Sequence, residues 1–232
     1  MRIDKFISNL GYGSRKQIID FIKNEYVQVN SETIYEKDFE INFGDIIGVG
    51  EDIIEYKEFV YVMLNKPIGY ISSKKSEGGH ESYLDLLQNC PYGQIIDIVG
   101  RLDFDTSGLL LLTNNGDITH KIISPKKEIF KKYFVVGEKN LSQKDIDRLE
   151  NGVKIDDTIS KPAQVEIIDE NKIYLSISEG RFHQIKKMFE AIGNTVTELK
   201  RVSIGNLELG DLALGEWKYL EDDDIKKLFE KK

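Results

Sequence analysis

The chain begins with two stretches in which apolar residues recur at helical spacing. In residues 3–10 they fall at i, i+3, i+4 and i+7, which gives a helix one apolar face. Glycines then interrupt the pattern, and Ser14 is placed to cap a second helix that turns the apolar side chains of residues 18–22 inward. Tyr26 to Val29 alternates apolar and polar positions, which is typical of a strand. The pattern predicts a small unit of helices and short strands.

Strand-like segments dominate the longer second part of the chain, which follows an acidic linker predicted at residues 51–58. The predicted strands are Phe59–Leu64, Leu109–Thr113, Tyr133–Val136, Ala163–Ile168 and Ile173–Ile177. Helices are predicted between the capping residue Ser142 and Gly152, along the apolar stripe of residues 185–192, and in the tail at 221–232. This mixture predicts an α+β fold whose larger unit has a mixed, mostly antiparallel sheet with flanking helices.

Composition is that of a globular protein. The 232 residues are 40% hydrophobic, which suffices for a core, and no apolar run approaches the roughly 18 residues of a membrane helix. The first residues lack the apolar region of a signal peptide, so we expect a cytoplasmic protein that does not bind a membrane. Cys90 has no second cysteine to pair with, and the three histidines are far apart, so we expect no metal.

Charge is segregated along the chain. The net charge is −8, which by itself disfavours nucleic-acid binding. However, residues 1–24 hold five basic against two acidic side chains, residues 121–139 six against two, and residues 181–201 five against two. Basic segments of this kind can form a face that binds phosphates, or they can belong to an ordinary mixed surface.

The densest group of polar residues is GRLDFDTSG at residues 100–108, directly before the apolar run of residues 109–112. Asp103 and Asp105 stand close to Arg101, and groups so near a buried strand must be hydrogen-bonded or paired. The residues alone leave three interpretations open. The carboxylates can be satisfied within an Asx-type turn, one of them can act as nucleophile or base, or they can form the carboxylate pair of a glycosidase, although i and i+2 neighbours do not obviously flank one sugar ring.

A second segment, EGRFHQIKKMF at residues 179–189, places a glycine turn before an amphipathic helix. The amides at the start of such a helix, together with its cations, suit an anion. Lys186 lies at the border of the apolar stripe, so it can reach inward to a carboxylate or extend along the surface with its charge in water. His183 is either a hydrogen-bonding residue at the helix start or a catalytic group.

A third segment, KKYFVV, starts a strand after two lysines. The ring of Tyr133 can stack on a base or a sugar, or it can pack in the core as most strand tyrosines do.

Taken in order, these segments resemble a known family. GRLDFDTSGLLLLTNNGD resembles the catalytic-aspartate motif of the RsuA- and RluA-related pseudouridine synthases, KKYFV resembles their tyrosine motif, and EGRFHQIKKMF their basic motif. NKPIGY at residues 65–70 is similar to the short segment that precedes these motifs in the family. RIDKFI, SRKQIIDFI and YVQVN resemble the S4 RNA-binding module, so the likeness covers nearly the whole chain. His-Gln ahead of Met-Phe, together with ENGVKIDD and GEWKY, favours the RsuA branch.

The resemblance implies an S4-like α/β RNA-binding domain with linker at residues 1–57 and a catalytic domain at 58–232. It also implies an isomerase that needs no cofactor and converts one uridine of 16S rRNA, the uridine 516-type site, to pseudouridine. In that scheme Asp103 attacks the ribose or base or removes a sugar proton, and Lys186 pairs with it and holds it ionised. Tyr133 stacks on the target uracil, which must be flipped out because the reacting atoms are inaccessible in a stack.

Further expectations follow for RNA binding and for partners. Ile185 supplies a dry wall under the base, and Arg101 fills the gap left by the flipped base or binds a phosphate. The residues expected to bind RNA are Arg101, Arg181, His183, Gln184, Arg2, Lys5, Arg15 and Lys16. The expected partner is 16S rRNA or a partly assembled small subunit, bound by a monomer.

Several alternatives have different consequences. The chain can be a synthase that acts on 23S rRNA, or a non-catalytic RNA-binding protein with an S4 domain. A methyltransferase would need a glycine-rich strand–turn–helix fingerprint for its cofactor, and the sequence has none.

Overall fold

The computed structural model describes residues 1–230, which form two compact units. One comprises Met1–Val60 with Leu87–Asp97, and the other comprises Tyr61–Leu86 with the chain from Ile98 onward. No helix among the described residues is both long and apolar enough to cross a membrane.

The first unit contains two helices and a four-stranded sheet. The helices are α1 (Ile3–Asn9) and α2 (Arg15–Lys23), and the strands are β1 (Val27–Val29), β2 (Glu32–Thr33), β3 (Ile46–Val49) and β4 (Asp52–Glu55), in the order β2-β1-β3-β4. As predicted, Ser14 caps α2, and its hydroxyl and the Gln17 side chain form a reciprocal capping box. The predicted linker at residues 51–58 is wrong in part, because Ile54 is buried and β4 pairs with β3.

The second unit contains most of the strands. In chain order these are β5 (Tyr61–Lys66), β6 (Tyr70–Ile71), β7 (Glu81–Ser82), β8 (Asp97–Ile98), β9 (Ser107–Thr113), β10 (Lys131–Gly137), β11 (Lys154–Ile155), β12 (Thr158–Ile159), β13 (Gln164–Asp169), β14 (Lys172–Ile177), β15 (Val196–Ile204), β16 (Leu207–Glu208) and β17 (Trp217–Tyr219). The helices are α3 (Gly116–Ile123), α4 (Gln143–Asn151), α5 (Gln184–Ala191) and α6 (Asp222–Lys227), with a short 3-10 turn at Tyr83–Leu86. Residues 231–232 of the predicted tail helix lie outside the described residues.

The main sheet runs in the order β13-β14-β10-β15-β9-β5-β17. Its neighbours are antiparallel except β15 and β9, which are parallel, so the predicted α+β fold with a mixed, mostly antiparallel sheet is confirmed. Helices α4 and α5 cover β10 and β14 through an apolar core that includes Val135, Leu149 and Phe189. A second core around Met63, Leu111 and Ile204 lies under β5, β9 and β15. Strands β9, β10 and β15 therefore form a rigid base for the loops and side chains at their ends.

Gly108 in β9 marks the closest approach of two strands. Its φ is +105°, and a Cβ there would collide with the carbonyl oxygen of Arg201 and lie 2.7 Å from the Arg201 amide nitrogen. Only glycine combines this φ with so close a backbone neighbour. The strand that carries the GRLDFDTSG segment is thereby fixed against β15.

We expect Gly108→Ala to lower the free energy of unfolding by about 2–5 kcal/mol, because overpacking costs about 1–3 and the positive φ about 1–2 kcal/mol. Gly193→Ala is the matched control, since Gly193 has a φ of +84° but open space around it, and it should lose only about 1–2 kcal/mol. Urea unfolding measures both. Equal losses would show that φ alone, and not the close strand contact, governs position 108.

Candidate active site

A cavity of about 360 Å³ opens within the second unit. That volume is in the range of small-ligand pockets and fits one nucleotide base with part of its sugar. Its walls come from residues 99–103 and 106, from the end of α3, from the start of β10, from residues 177 and 179–186, and from β15. All predicted site residues of this unit line it: Arg101, Asp103, Tyr133, Arg181, His183, Gln184, Ile185 and Lys186.

Asp103 lies in the loop before β9, where the Thr106 amide closes a turn onto the Asp103 carbonyl at 3.1 Å. Its side chain is about one-third exposed. Lys186 Nζ and His183 Nε2 each lie 3.7 Å from one carboxylate oxygen, which is an ion-pair distance longer than a hydrogen bond. The carboxylate is therefore held beside a lysine and a histidine while its oxygens stay open to the cavity.

Lys186 is shared between two carboxylates. It makes a direct hydrogen bond to Asp105 and reaches Asp103 only at the longer distance, so the predicted pairing with Asp103 is present but is the weaker of the two. Burial raises the pKa of Asp105. The hydrogen bond and the charge of Lys186 lower it by more, so the pKa lies below its ordinary value. Lys186 thus fixes the loop that carries both aspartates.

His183 begins α5 in a left-handed conformation, with a φ of 52° and a ψ of 33°. Non-glycine residues adopt this region rarely, and such strain concentrates at functional sites. The ring stacks on exposed Phe182 with centroids 3.8 Å apart. The conformation aims the imidazole at the Asp103 carboxylate and leaves Phe182 at the rim of the cavity.

The polar groups of Arg181 and Gln184 form hydrogen bonds with other residues of the protein. Arg181 binds Glu179 at 3.2 Å and donates to Thr158 Oγ1 at 2.7 Å, and Gln184 Nε2 donates to Glu179 Oε1 at 2.8 Å. The geometry gives both side chains a role in holding the segment before α5. Their contact with RNA stays a prediction, as does that of Arg101, whose exposed side chain borders the cavity.

The four basic residues predicted from the N-terminal helices lie in the first unit and are not part of the cavity wall. Arg2 forms two hydrogen bonds, of 3.1 and 2.9 Å, with the buried carboxylate of Asp4, which ties it into the fold. Lys5, Arg15 and Lys16 are exposed. Exposed cations suit contacts with phosphates, and for these three RNA binding stays a prediction.

Sequence reasoning missed a group of buried cations beside the cavity. Arg201 is 3% and Lys131 is 9% exposed, and both line it, while Lys66 close by is fully buried. Lys66 Nζ donates to the carbonyls of Pro67 and Tyr70, and Lys131 Nζ donates to that of Ile122. Burial lowers the pKa of each lysine to about 8. The cavity wall holds five lysine and arginine side chains against two acids, Asp103 and Glu179, so it attracts negative charge.

Sequence and structure comparisons agree on one class of protein. A profile of the RNA pseudouridylate synthase family matches residues 60–191, and an S4 domain profile matches residues 1–47. A crystal structure of a pseudouridylate synthase, 34% identical, aligns over 98% of this chain and 99% of its own with a TM-score of 0.70. The chain is thus an isomerase with an N-terminal S4 domain, and it belongs to the RNA pseudouridylate synthase family.

Curated relatives cover nearly the whole chain. An uncharacterized RNA pseudouridine synthase of Bacillus subtilis, YtzG, is 37% identical over 99% of both chains. Ribosomal large subunit pseudouridine synthase B of Bacillus subtilis is 37% identical over 98% of this chain and 95% of its own. Ribosomal small subunit pseudouridine synthase A of Escherichia coli is 36% identical over 97% of this chain and 98% of its own.

Proposed function

We propose that this enzyme converts one uridine of small-subunit (16S) rRNA, the uridine 516-type site, to pseudouridine, and that Asp103 is its essential carboxylate. One observation carries the proposal: Asp103, Tyr133 and Lys186 line a single cavity of nucleotide size. The small-subunit synthase of Escherichia coli, similar over nearly the full chain, supports the choice of RNA. The substrate is 16S rRNA or a partly assembled small subunit, bound in the cytoplasm by a monomer.

The chemistry follows from the arrangement of these groups. The target nucleotide leaves its stack and enters the cavity, because C1′ and C5 are inaccessible inside a helix. Asp103 acts on the ribose or the base, the N1–C1′ bond breaks, the ring turns, and C5 bonds to C1′. Tyr133 stacks on the uracil and assists loss of the C5 proton, while Lys186 keeps Asp103 oriented. The rearrangement neither adds a group nor moves net electrons, so it needs no cofactor.

RNA is delivered by the N-terminal part of the chain in this proposal. Residues 1–57 form the RNA-binding module with its linker and residues 58–232 the catalytic domain. Lys5, Arg15 and Lys16 offer exposed positive charge for phosphates. Replacing any one of them with a neutral residue should weaken RNA binding by the same factor for every RNA sequence and should reduce the salt dependence of that binding.

A second target class is favoured by one observation. The large-subunit synthase of Bacillus subtilis is as similar to this chain as the small-subunit enzyme of Escherichia coli, 37% against 36%. These two identities therefore do not distinguish the two RNAs.

Pseudouridine mapping of rRNA decides between these targets. In cells that lack this gene we expect one 16S position to lose its pseudouridine, and a plasmid copy of the wild-type gene to restore it. Loss at a 23S position alone would assign the enzyme to the large subunit. Unchanged maps of both RNAs would refute ribosomal RNA as the substrate.

A further inference from the structure

Arg201 carries a buried hydrogen-bond donor that the described part of the protein does not use. Its side chain is 3% exposed, and Nε donates to the carbonyl of Leu109 at 2.7 Å. The Nη2 amino group is buried and has no hydrogen-bond partner among residues 1–230. A buried donor left without a partner costs about 1–3 kcal/mol, and more when it is charged. Retaining such a group favours a functional role for it.

No acid of the described chain pairs with this guanidinium. Of the two acids in the cavity wall, Glu179 is held by Arg181 and Gln184, and Asp103 faces Lys186 and His183. Lys131 and Lys66 lie close enough to Arg201 for repulsion to lower the pKa of both lysines. The Arg201 guanidinium is therefore available to a negative group of a bound substrate.

The strand register puts Arg201 beside the predicted base-stacking ring. Arg201 on β15 is the direct partner of Tyr133 on β10 and of Gly108 on β9. Cross-strand partners point to the same face of a sheet with Cβ atoms roughly 5 Å apart. Arg201 and Tyr133 both line the cavity. A uracil stacked on Tyr133 would thus have its edge within reach of the guanidinium.

We propose that Arg201 is a further catalytic residue, which binds a carbonyl oxygen of the target uracil and stabilises the negative charge that develops on the ring. The proposal rests on the proposed function. As the N1–C1′ bond breaks, its electron pair passes to N1 and is delocalised over O2 and O4. When C5 bonds to C1′ this charge is consumed, and loss of the C5 proton, matched by protonation of N1, restores the ring. A preorganised cation in a water-poor site is suited to such charge.

The test uses single-turnover rearrangement of an rRNA fragment that carries either uridine or 5-fluorouridine at the mapped target. Fluorine withdraws electrons, so the departing ring needs less help from a cation. Because the fluorinated ring has no C5 proton to lose, the rate compared for the two substrates is that of C5–C1′ bond formation. We expect Arg201→Met to slow uridine rearrangement about 100-fold, as loss of one charge-stabilising donor does, and to slow 5-fluorouridine rearrangement much less. RNA affinity should change less than about threefold, since the uracil carbonyl contact strengthens mainly as charge develops.

Two further variants keep the test decisive. Arg201→Lys retains the charge and should lose less rate than Arg201→Met, and it replaces that variant if the latter does not fold. Arg148→Met is the matched control, because Arg148 contacts the Ala191 carbonyl and does not line the cavity, and it should react as wild type does.

Other results would overturn the inference. An equal loss of rate for both substrates would mean that Arg201 does not sense the charge of the ring. A loss of RNA affinity as large as the loss of rate would indicate a phosphate contact instead. If wild-type protein rearranged neither substrate while binding the RNA, the proposed function would fail rather than the role of Arg201.

Discussion

We expect Asp103→Asn to abolish pseudouridine formation, with a single-turnover rate at least about 10⁴-fold below wild type, the scale of loss when an essential carboxylate is made neutral. The amide keeps the shape of the side chain but cannot act as nucleophile or base. Affinity for the RNA should change less than about threefold, because the Asp103 oxygens make no tight contact that would disrupt the cavity if lost. Conversion is measured by pseudouridine mapping of the reacted RNA.

Asp105→Asn is the matched control for that experiment. Asp105 lies two residues away and is 64% exposed in its side chain, and its main contact is Lys186. Removing its charge should slow the reaction only about tenfold, through a looser Lys186. Full activity of Asp103→Asn would remove the catalytic role of Asp103. Equal losses in both variants would instead favour a carboxylate pair that acts together.

Elements with a clean apolar period could be predicted from the sequence. The apolar stripe from Ile185 to Ile192 predicted α5, which the structure places at Gln184–Ala191. The capping pair Ser142 and Asp145 predicted the start of α4. Strand β15, the longest in the chain, was missed. Its polar positions include Glu198, Lys200 and Arg201, so its alternation reads as a surface segment until the sheet buries one face.

Some residues of the site could likewise be predicted from the sequence, and others could not. Asp103, Tyr133 and Lys186 stand in contiguous motifs, and the structure brings them to one cavity. The burial of Lys66, Lys131 and Arg201 could not be predicted, because a lysine or arginine in a sequence is most often a solvated side chain. Only long-range pairing of β9, β10 and β15 shows that these cations are buried together. Local pattern therefore reveals the reacting groups, whereas the electrostatic surroundings depend on topology.

Lys186→Met should lower the single-turnover rate about 10³-fold with little change in RNA affinity. The ammonium group hydrogen-bonds Asp105 and lies 3.7 Å from Asp103, so it balances two carboxylates that would otherwise repel each other in a partly buried loop. Without it the Asp103 carboxylate loses its orientation, and misplacement of about 1 Å can cost roughly 10²-fold in rate. Lost charge compensation accounts for the remainder.

Two neighbouring changes isolate that effect. Lys187→Met is the matched control, because Lys187 pairs with Asp156 at 2.8 Å and is not part of the cavity wall, and its rate should stay within about threefold of wild type. Lys186→Arg keeps the charge and should recover part of the rate. The pKa of Asp105, followed by NMR titration, should rise in Lys186→Met, since the hydrogen bond and charge that lower it are gone. A normal rate in Lys186→Met, with that rise observed, would show that Asp103 is oriented without the lysine and that His183, at the same distance from the carboxylate, suffices.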